Sequence, residues 1–246
     1  MPASVSHAAD DRLPLYQRLR DDLAAKVADQ VWRPGGALPS ELSLAKSYGV
    51  SPGTMRKAIQ SLVDEGLLER RQGKGTFVRR ASFNHSLFRF FRFQRGEGAR
   101  VVPKGRILER EVVPAPPEIA AKLALDAGTP AIRMARLRLF DGRPGLAEDI
   151  WLPFERFAAF LDEPAEQIGD LLYPVYESLC GQVIACAEED LTAEAADPHH
   201  AELLGVAPGT SVIVIERLAF GFDNEPLEWR RSRGRAEEFH YRIEIR

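Results

Sequence analysis

The chain has 246 residues, 45% of them hydrophobic and 28% charged, with 33 Lys/Arg against 36 Asp/Glu for a net charge of −3. Such a length predicts two domains, and such a composition predicts packed cores and excludes a disordered chain. Cys180 and Cys186 are too few for a disulfide scaffold or a four-cysteine zinc site, no apolar run reaches the ~18 residues of a membrane span, and the first residues lack a basic-then-apolar leader, so a reduced, cytoplasmic protein is expected.

The charge is uneven along the chain. Residues 1–80 hold 13 basic and 9 acidic side chains, whereas the remainder holds 20 basic and 27 acidic. So small a basic excess acquires meaning only from the elements that carry it. Leu15, Leu19, Leu23, Val27 and Val31 recur every fourth residue, which predicts a helix over Pro14–Val31, stopped by Arg33-Pro34-Gly35-Gly36. Ser40-Glu41 reads as a helix cap with an acid in the first turn, and Gly49 ends that helix. Ser51 caps a third helix with Pro52 in its first turn and a buried stripe of Met55, Ile59, Leu62 and Val63. Two short helices across a tight Gly-containing turn form a helix-turn-helix. Then Gly66–Arg70, the turn Arg71-Gln72-Gly73-Lys74-Gly75 and Thr76-Phe77-Val78 read as a β-hairpin, a wing.

A recognition helix offers its N-terminal side chains to base edges in the major groove, and here these are Ser51, Thr54, Arg56 and Lys57. Ser40 and Ser51 stand at helix N-termini, whose free N–H groups suit phosphate. At the wing tip, Gln72, Gly73, Lys74, Gly75 and Thr76 let backbone approach the duplex with Lys74 as a point charge. A solvated helix face and an ordinary turn account for each residue singly; the ordered set favours double-stranded DNA. The segment LPSELSLAKSYGVSPGTMRKAIQSLVDEGLLERRQGKGTFV resembles the winged-helix domain of GntR-type bacterial transcriptional regulators, over about residues 12–80. In that family arginine is common where this chain has Leu42 and Pro52, which implies a different operator preference.

Residues 81–95 read as the junction between a DNA-binding domain over 10–80 and a second domain over 96–246. Within the junction, Ser82–Phe93 alternates aromatic and basic residues. It is either a half-buried strand or a stacking strip for single strands, and the strand is favoured. Strands follow at Pro103–Val113, Ala131–Phe140, Gly145–Leu152, Val183–Leu191, Ser211–Phe220 and Leu227–Arg235. Short helices lie at Pro117–Leu125, Phe154–Leu161, Leu171–Cys180 and Ala195–Leu204, and Phe239–Arg246 closes the chain. Turn-linked strands among short helices predict an antiparallel α+β domain. An internal echo joins Gly128-Thr129-Pro130 to Gly209-Thr210-Ser211, each before a strand and a turn.

This second part resembles the effector-binding (UTRA) domain of the HutC subgroup of GntR regulators, whose fold is like that of chorismate lyase. The resemblance rests on Arg136-Leu137-Arg138, Glu148 and Leu227-Glu228 around two turns. It implies an effector site lined by Arg136, Arg138, Glu148, Tyr173, Glu228 and Arg231 that holds a small, anionic metabolite. Independently, strand alternation puts Arg136 and Arg138 on one face, where two guanidiniums require an anion or a carboxylate. An internal salt-bridge network would meet the same need. Many relatives have serine where Leu171 stands, and its loss argues against a sugar phosphate. The five histidines show no metal-ligand spacing, neither cysteine has an activating neighbour, and no nucleotide or nucleophile motif appears, so no metal, cofactor or catalytic residue is expected. The expectation is a ligand-responsive repressor that binds a two-fold operator as a homodimer. Two alternatives stay open: an enzyme of the lyase-like fold acting on a small carboxylated substrate, and a DNA binder without an effector.

Overall fold

A computed structural model describes residues 13–79 and 103–239. The residues divide into two compact units, one built on the first stretch and one on the bulk of the second. The predicted aromatic-basic strip at Ser82–Phe93, the junction 81–95, and the chain end from His240 lie outside the described residues.

In the first unit α1 (Leu15–Ala28), α2 (Glu41–Tyr48) and α3 (Pro52–Asp64) precede a hairpin of β1 (Leu68–Arg71) and β2 (Gly75–Val78). Leu19, Leu23 and Val27 of α1 meet Leu44 and Ala45 of α2 and Met55, Ala58, Ile59 and Leu62 of α3 in one core. Each large side chain buried there contributes roughly 1.5–3 kcal/mol. Ser40 and Ser51 cap α2 and α3, accepting from the backbone N–H groups of Ser43 and Thr54 at 3.2 Å. Gly49 ends α2 at φ +66°, a conformation that glycine adopts without strain. α1 is shorter than the periodicity suggested: Gln30 turns to φ +54°, and Val31 is exposed rather than part of the stripe.

The second unit is a six-stranded antiparallel sheet in the order β3-β4-β5-β8-β7-β6, comprising β3 (Lys104–Pro114), β4 (Pro130–Phe140), β5 (Arg143–Pro153), β6 (Cys186–Ala195), β7 (Ser211–Phe220) and β8 (Pro226–Arg235). Helix α4 (Pro117–Lys122) follows β3, α5 (Phe154–Asp162) and α6 (Leu172–Cys180) follow β5, and α7 (Pro198–Leu204) follows β6. One face packs Ile132, Met134, Ile150 and Leu152 under Phe157, Phe160, Leu172 and Tyr176 of α5 and α6. The opposite face packs Ala131, Trp151 and Trp229 under Ile119, Ala120 and Leu123 of α4, and Leu137, Ala147 and Val212 under Ala201 and Leu204 of α7.

The sheet order is a palindrome because the domain is a doubled β-α-β-β unit. The echo seen in sequence has matching hydrogen bonds. Ala115 N–H donates to the Thr129 carbonyl at 2.9 Å and Ala196 N–H to that of Thr210 at 2.8 Å, with Gly128 and Gly209 at φ +79° and +82°. The repeats meet where β5 pairs β8, with Trp151 opposite Trp229. Several boundaries differ from the sequence reading, those of β6 and α7 among them. β6 spans Cys186–Ala195 rather than Val183–Leu191, and α7 starts at Pro198 because Asp197, not Ala195, accepts the His200 N–H as its cap. The apolar run Val183-Ile184 had drawn the strand early, but Ile184 belongs to the core beneath α5 and α6.

Candidate nucleic-acid interface and effector site

On the first unit, part of the set expected at DNA clusters about the start of α3 and its link to the hairpin. Ser51 and Thr54 hold each other, their hydroxyl oxygens 2.8 Å apart, at the exposed start of α3. The Glu41 carboxylate in the first turn of α2 accepts from Arg56 of α3 and from Arg70 of β1, each at 2.9 Å. One acid therefore aligns the recognition helix with the wing. The Arg56 side chain stays 66% exposed, so phosphate or a base edge can compete for it. Gln72, Gly73, Lys74 and Gly75 form the exposed wing tip, with Gly73 and Gly75 at φ +70° and +116°, and Thr76 is half-buried behind them. Lys57 lies elsewhere than its neighbours: its ammonium sits 3.9 Å from the ring centre of Tyr16 on α1.

In the second unit, the sheet face beneath α6 carries a buried charge cluster. Arg136 and Arg138 of β4, Glu148 of β5, Arg217 of β7 and Glu228 and Arg230 of β8 are all buried, Arg136 to 2% exposure. Cross-strand register sets Arg136 opposite Glu148 in the first repeat, but Arg217 opposite Arg230 in the second. Like charges facing one another across a ladder need carboxylates from elsewhere. Arg230 accordingly donates to Glu228 at 2.7 Å and to Glu148 at 3.3 Å, while Arg136 lies 3.7 Å from Glu148. Arg217 pairs with Glu189 of β6 at 2.7 Å and donates to the Tyr173 hydroxyl at 3.2 Å. Tyr173 and Tyr176 of α6 donate to the two Glu228 oxygens at 3.1 and 2.9 Å.

The segment before α6 closes this cluster with its backbone. The Asp170 carbonyl accepts from Arg136 at 2.6 Å and from Arg138, and the Asp170 carboxylate accepts from the Gly105 N–H at 2.8 Å. Gly105 is required there because a β-carbon would overlap the Arg136 guanidinium. Burial pushes the Glu148 carboxyl up, but the guanidiniums of Arg230, Arg136, Arg138 and Arg217 outweigh it and hold the group below the ordinary carboxylate range. Burial pulls Arg138 down to about 10 against the attraction of Glu148, and lifts the Tyr173 phenol to about 12, helped by Glu228. Among the described residues, Arg136 Nε, Arg230 Nε, Glu148 Oε2 and Ser232 Oγ are buried without a hydrogen-bond partner. Such atoms mark a place where a polar ligand gains binding energy.

Five of the six residues expected to line this site are thus brought together: Arg136, Arg138, Glu148, Tyr173 and Glu228. Arg231 is not. Strand alternation sends it to the opposite face, where it pairs with Glu194 at 2.6 Å and Glu216 at 3.6 Å. Its neighbour Arg230 shares the Glu228 face and takes the place expected of it. The sequence reading also missed Arg217, although it follows Gly209 at the same spacing as Arg136 follows Gly128, so aligning the two repeats finds it. Asp170 acts through its carbonyl and Gly105 through its lack of a side chain, and neither leaves a sequence signal. The His200 ring, which no sequence motif singles out, bridges Asp197 at 2.6 Å and Asp149 at 3.2 Å, with only 12% of the side chain exposed. No group of His, Cys, Asp and Glu among the described residues is arranged to hold a metal ion, and no described helix is long and apolar enough to cross a membrane.

A winged helix-turn-helix and a sheet domain with a buried arginine cluster in one chain define a transcriptional regulator carrying its own sensor domain. Residues 15–78 match the profile of bacterial regulatory proteins of the gntR family, and residues 98–240 match that of the UTRA domain. The chain belongs to the GntR family of bacterial transcriptional regulators, among those with a UTRA domain. It is 30% identical to an uncharacterised HTH-type transcriptional regulator of Rhizobium meliloti over 94% of both chains. It is 28% identical to the HTH-type transcriptional repressor NagR of Bacillus subtilis over 93% of both. Its sheet domain also resembles the crystal structure of the ligand-binding domain of a GntR-family regulator from Bordetella bronchiseptica, at 32% identity and a TM-score of 0.56, covering 68% of this chain and 99% of that one.

Proposed function

We propose that this chain is a cytoplasmic, homodimeric repressor released from DNA by a small anionic metabolite. The start of α3 and the wing tip of each copy read one half of a two-fold double-stranded operator. The effector sits among Arg136, Arg138, Arg217, Arg230 and Tyr173, on the face that also presents Glu148 and Glu228 to its hydroxyl or amine groups. The observation that carries this reading is the charge of the cluster: four buried guanidiniums against the carboxylates of Glu148, Glu228 and Glu189. An anion that replaces the Asp170 carbonyl on Arg136 and Arg138 trades a neutral acceptor for a charged one, which makes the stronger hydrogen bonds. An effector preferring one arrangement of the dimer and an operator preferring another must oppose each other's binding. The protein acts as a regulator without turnover, and neither metal nor cofactor takes part.

The test has two stages. Genomic fragments are selected on the protein at physiological salt with nonspecific competitor, which suppresses phosphate attraction alone. One short palindromic site should be enriched. Carboxylated and phosphorylated metabolites suggested by the neighbouring genes are then titrated against that site. Release by one of them, lost in Arg136→Ala, supports the reading; a folded protein that selects no site overturns it.

A further inference from the structure

Leu42 has the highest exposure of any large apolar side chain among the described residues, at 69%. It stands in the first turn of α2, a place that ordinarily takes polar residues. Its chain neighbour Glu41 holds both Arg56 of α3 and Arg70 of β1, so Leu42 stands next in sequence to the residue that ties the recognition helix to the wing.

The start of α3 shares this apolar character. Pro52 and Gly53 are exposed, and the only atom near the missing Gly53 β-carbon is Ser51 Oγ at 3.8 Å. The Ser51 and Thr54 hydroxyls are turned toward one another, and Ser51 also accepts the Thr54 N–H. Lys57 is folded over Tyr16. Arg56 is the single arginine of α2 and α3. A surface meant to read several guanines would carry several forked donors, because guanine offers the O6/N7 acceptor pair. The two helices α2 and α3 offer one, beside two exposed apolar side chains, while Arg70 belongs to the wing.

We infer that Leu42 and Pro52 read thymine, packing against C5-methyl groups in the major groove, so that each operator half-site has A·T pairs beneath them. The inference rests on the DNA interface proposed above. Thymine alone presents a methyl group in that groove. Leucine over guanine would instead cover the O6 and N7 acceptors and leave them without hydrogen bonds, which penalises the wrong base as well as favouring the right one.

The experiment uses the full chain and the site selected from genomic fragments. Each thymine of one half-site is replaced in turn by deoxyuridine, which removes only the C5-methyl, and binding is followed by fluorescence anisotropy. One or two positions should lose affinity about fourfold, the worth of one buried methyl. The Leu42→Ala variant should be indifferent to deoxyuridine at one of those positions, and Leu42→Arg, which introduces a forked donor, should select guanine there. Leu42 is exposed, so these variants should keep the parent melting temperature. A selected site whose affinity is unchanged by deoxyuridine at every position, or is lowered equally in Leu42→Ala, overturns the thymine assignment and leaves the regulator standing. Failure to select any site overturns the operator reading and this inference together.

Discussion

Arginine does different work in the two units. In the winged helix, Arg56 and Arg70 share the Glu41 carboxylate at a surface where water screens every charge. Exchanging that partner for a DNA phosphate costs little, because exposed ion pairs contribute at most about 1 kcal/mol. In the sheet domain, Arg136, Arg217 and Arg230 are almost wholly removed from water, and an ion pair there must repay a desolvation cost of several kcal/mol per charge. The first environment suits a reversible, salt-sensitive grip on a polyanion. The second suits a selective hold on one small anion, since a neutral or misplaced ligand leaves buried charges unsatisfied. A residue's chemistry is set as much by its burial as by its type.

The largest expected effect tests the buried side. Glu228→Ala deprives Tyr173, Tyr176 and Arg230 of their common acceptor and should destabilise the sheet domain by about 3–5 kcal/mol in urea. A loss below about 1 kcal/mol would mean that this carboxylate behaves like one at the surface. Gly105→Ala drives a β-carbon into the Arg136 guanidinium, at about 1–3 kcal/mol, and should blunt the response to effector while operator affinity without effector is kept. Equal losses in both binding reactions would instead point to general unfolding. On the exposed side, Arg56→Ala should weaken operator binding by about 1–3 kcal/mol and leave stability within about 0.5 kcal/mol of the parent. Lys74→Ala should weaken all DNA sequences alike and lower the slope of log affinity against log salt by about one.

The smallest effect lies between these extremes, at the half-buried His200. Its hydrogen bond to Asp149 raises its pKa, burial opposes, and the bond to Asp197 adds to the rise. Because the folded pKa stands above the unfolded value of about 6.5, this stabilisation is complete at lower pH and fades as pH climbs through the folded pKa. Melting temperatures between about pH 6 and pH 8 should fall more in the parent than in His200→Gln, by a difference worth under about 1 kcal/mol. The Asp197 carboxyl, held down to about 2 first by the His200 N–H, keeps its capping role until far more acid conditions.

The winged helix was legible almost residue by residue. Its signals are local: Ser40 and Ser51 cap within three residues, Gly49 turns in place, and the α3 stripe follows from helical period. Strands of the second unit were legible too, with β6 displaced because Ile184 is buried outside any strand. Alternation grouped Arg136 with Arg138 correctly but could not say which of Arg230 and Arg231 shares the face of Glu228 without the register of β8 against β5 and β7.

What the sequence by itself determined is therefore the set of elements, the helix-turn-helix with its wing and the local echo of Gly128-Thr129-Pro130 in Gly209-Thr210-Ser211, because each depends on spacings shorter than one helix or one hairpin. Only the tertiary structure decided which charges share a desolvated space. Arg217 and Arg230 joined the cluster, Arg231 left it, and the Asp170 carbonyl and Gly105 entered it without any side-chain signature. The physical reason is that burial and cross-strand pairing are properties of the closed sheet, in which partners lie dozens of residues apart along the chain, and a charge has no fixed energetic worth until that sheet has set its surroundings.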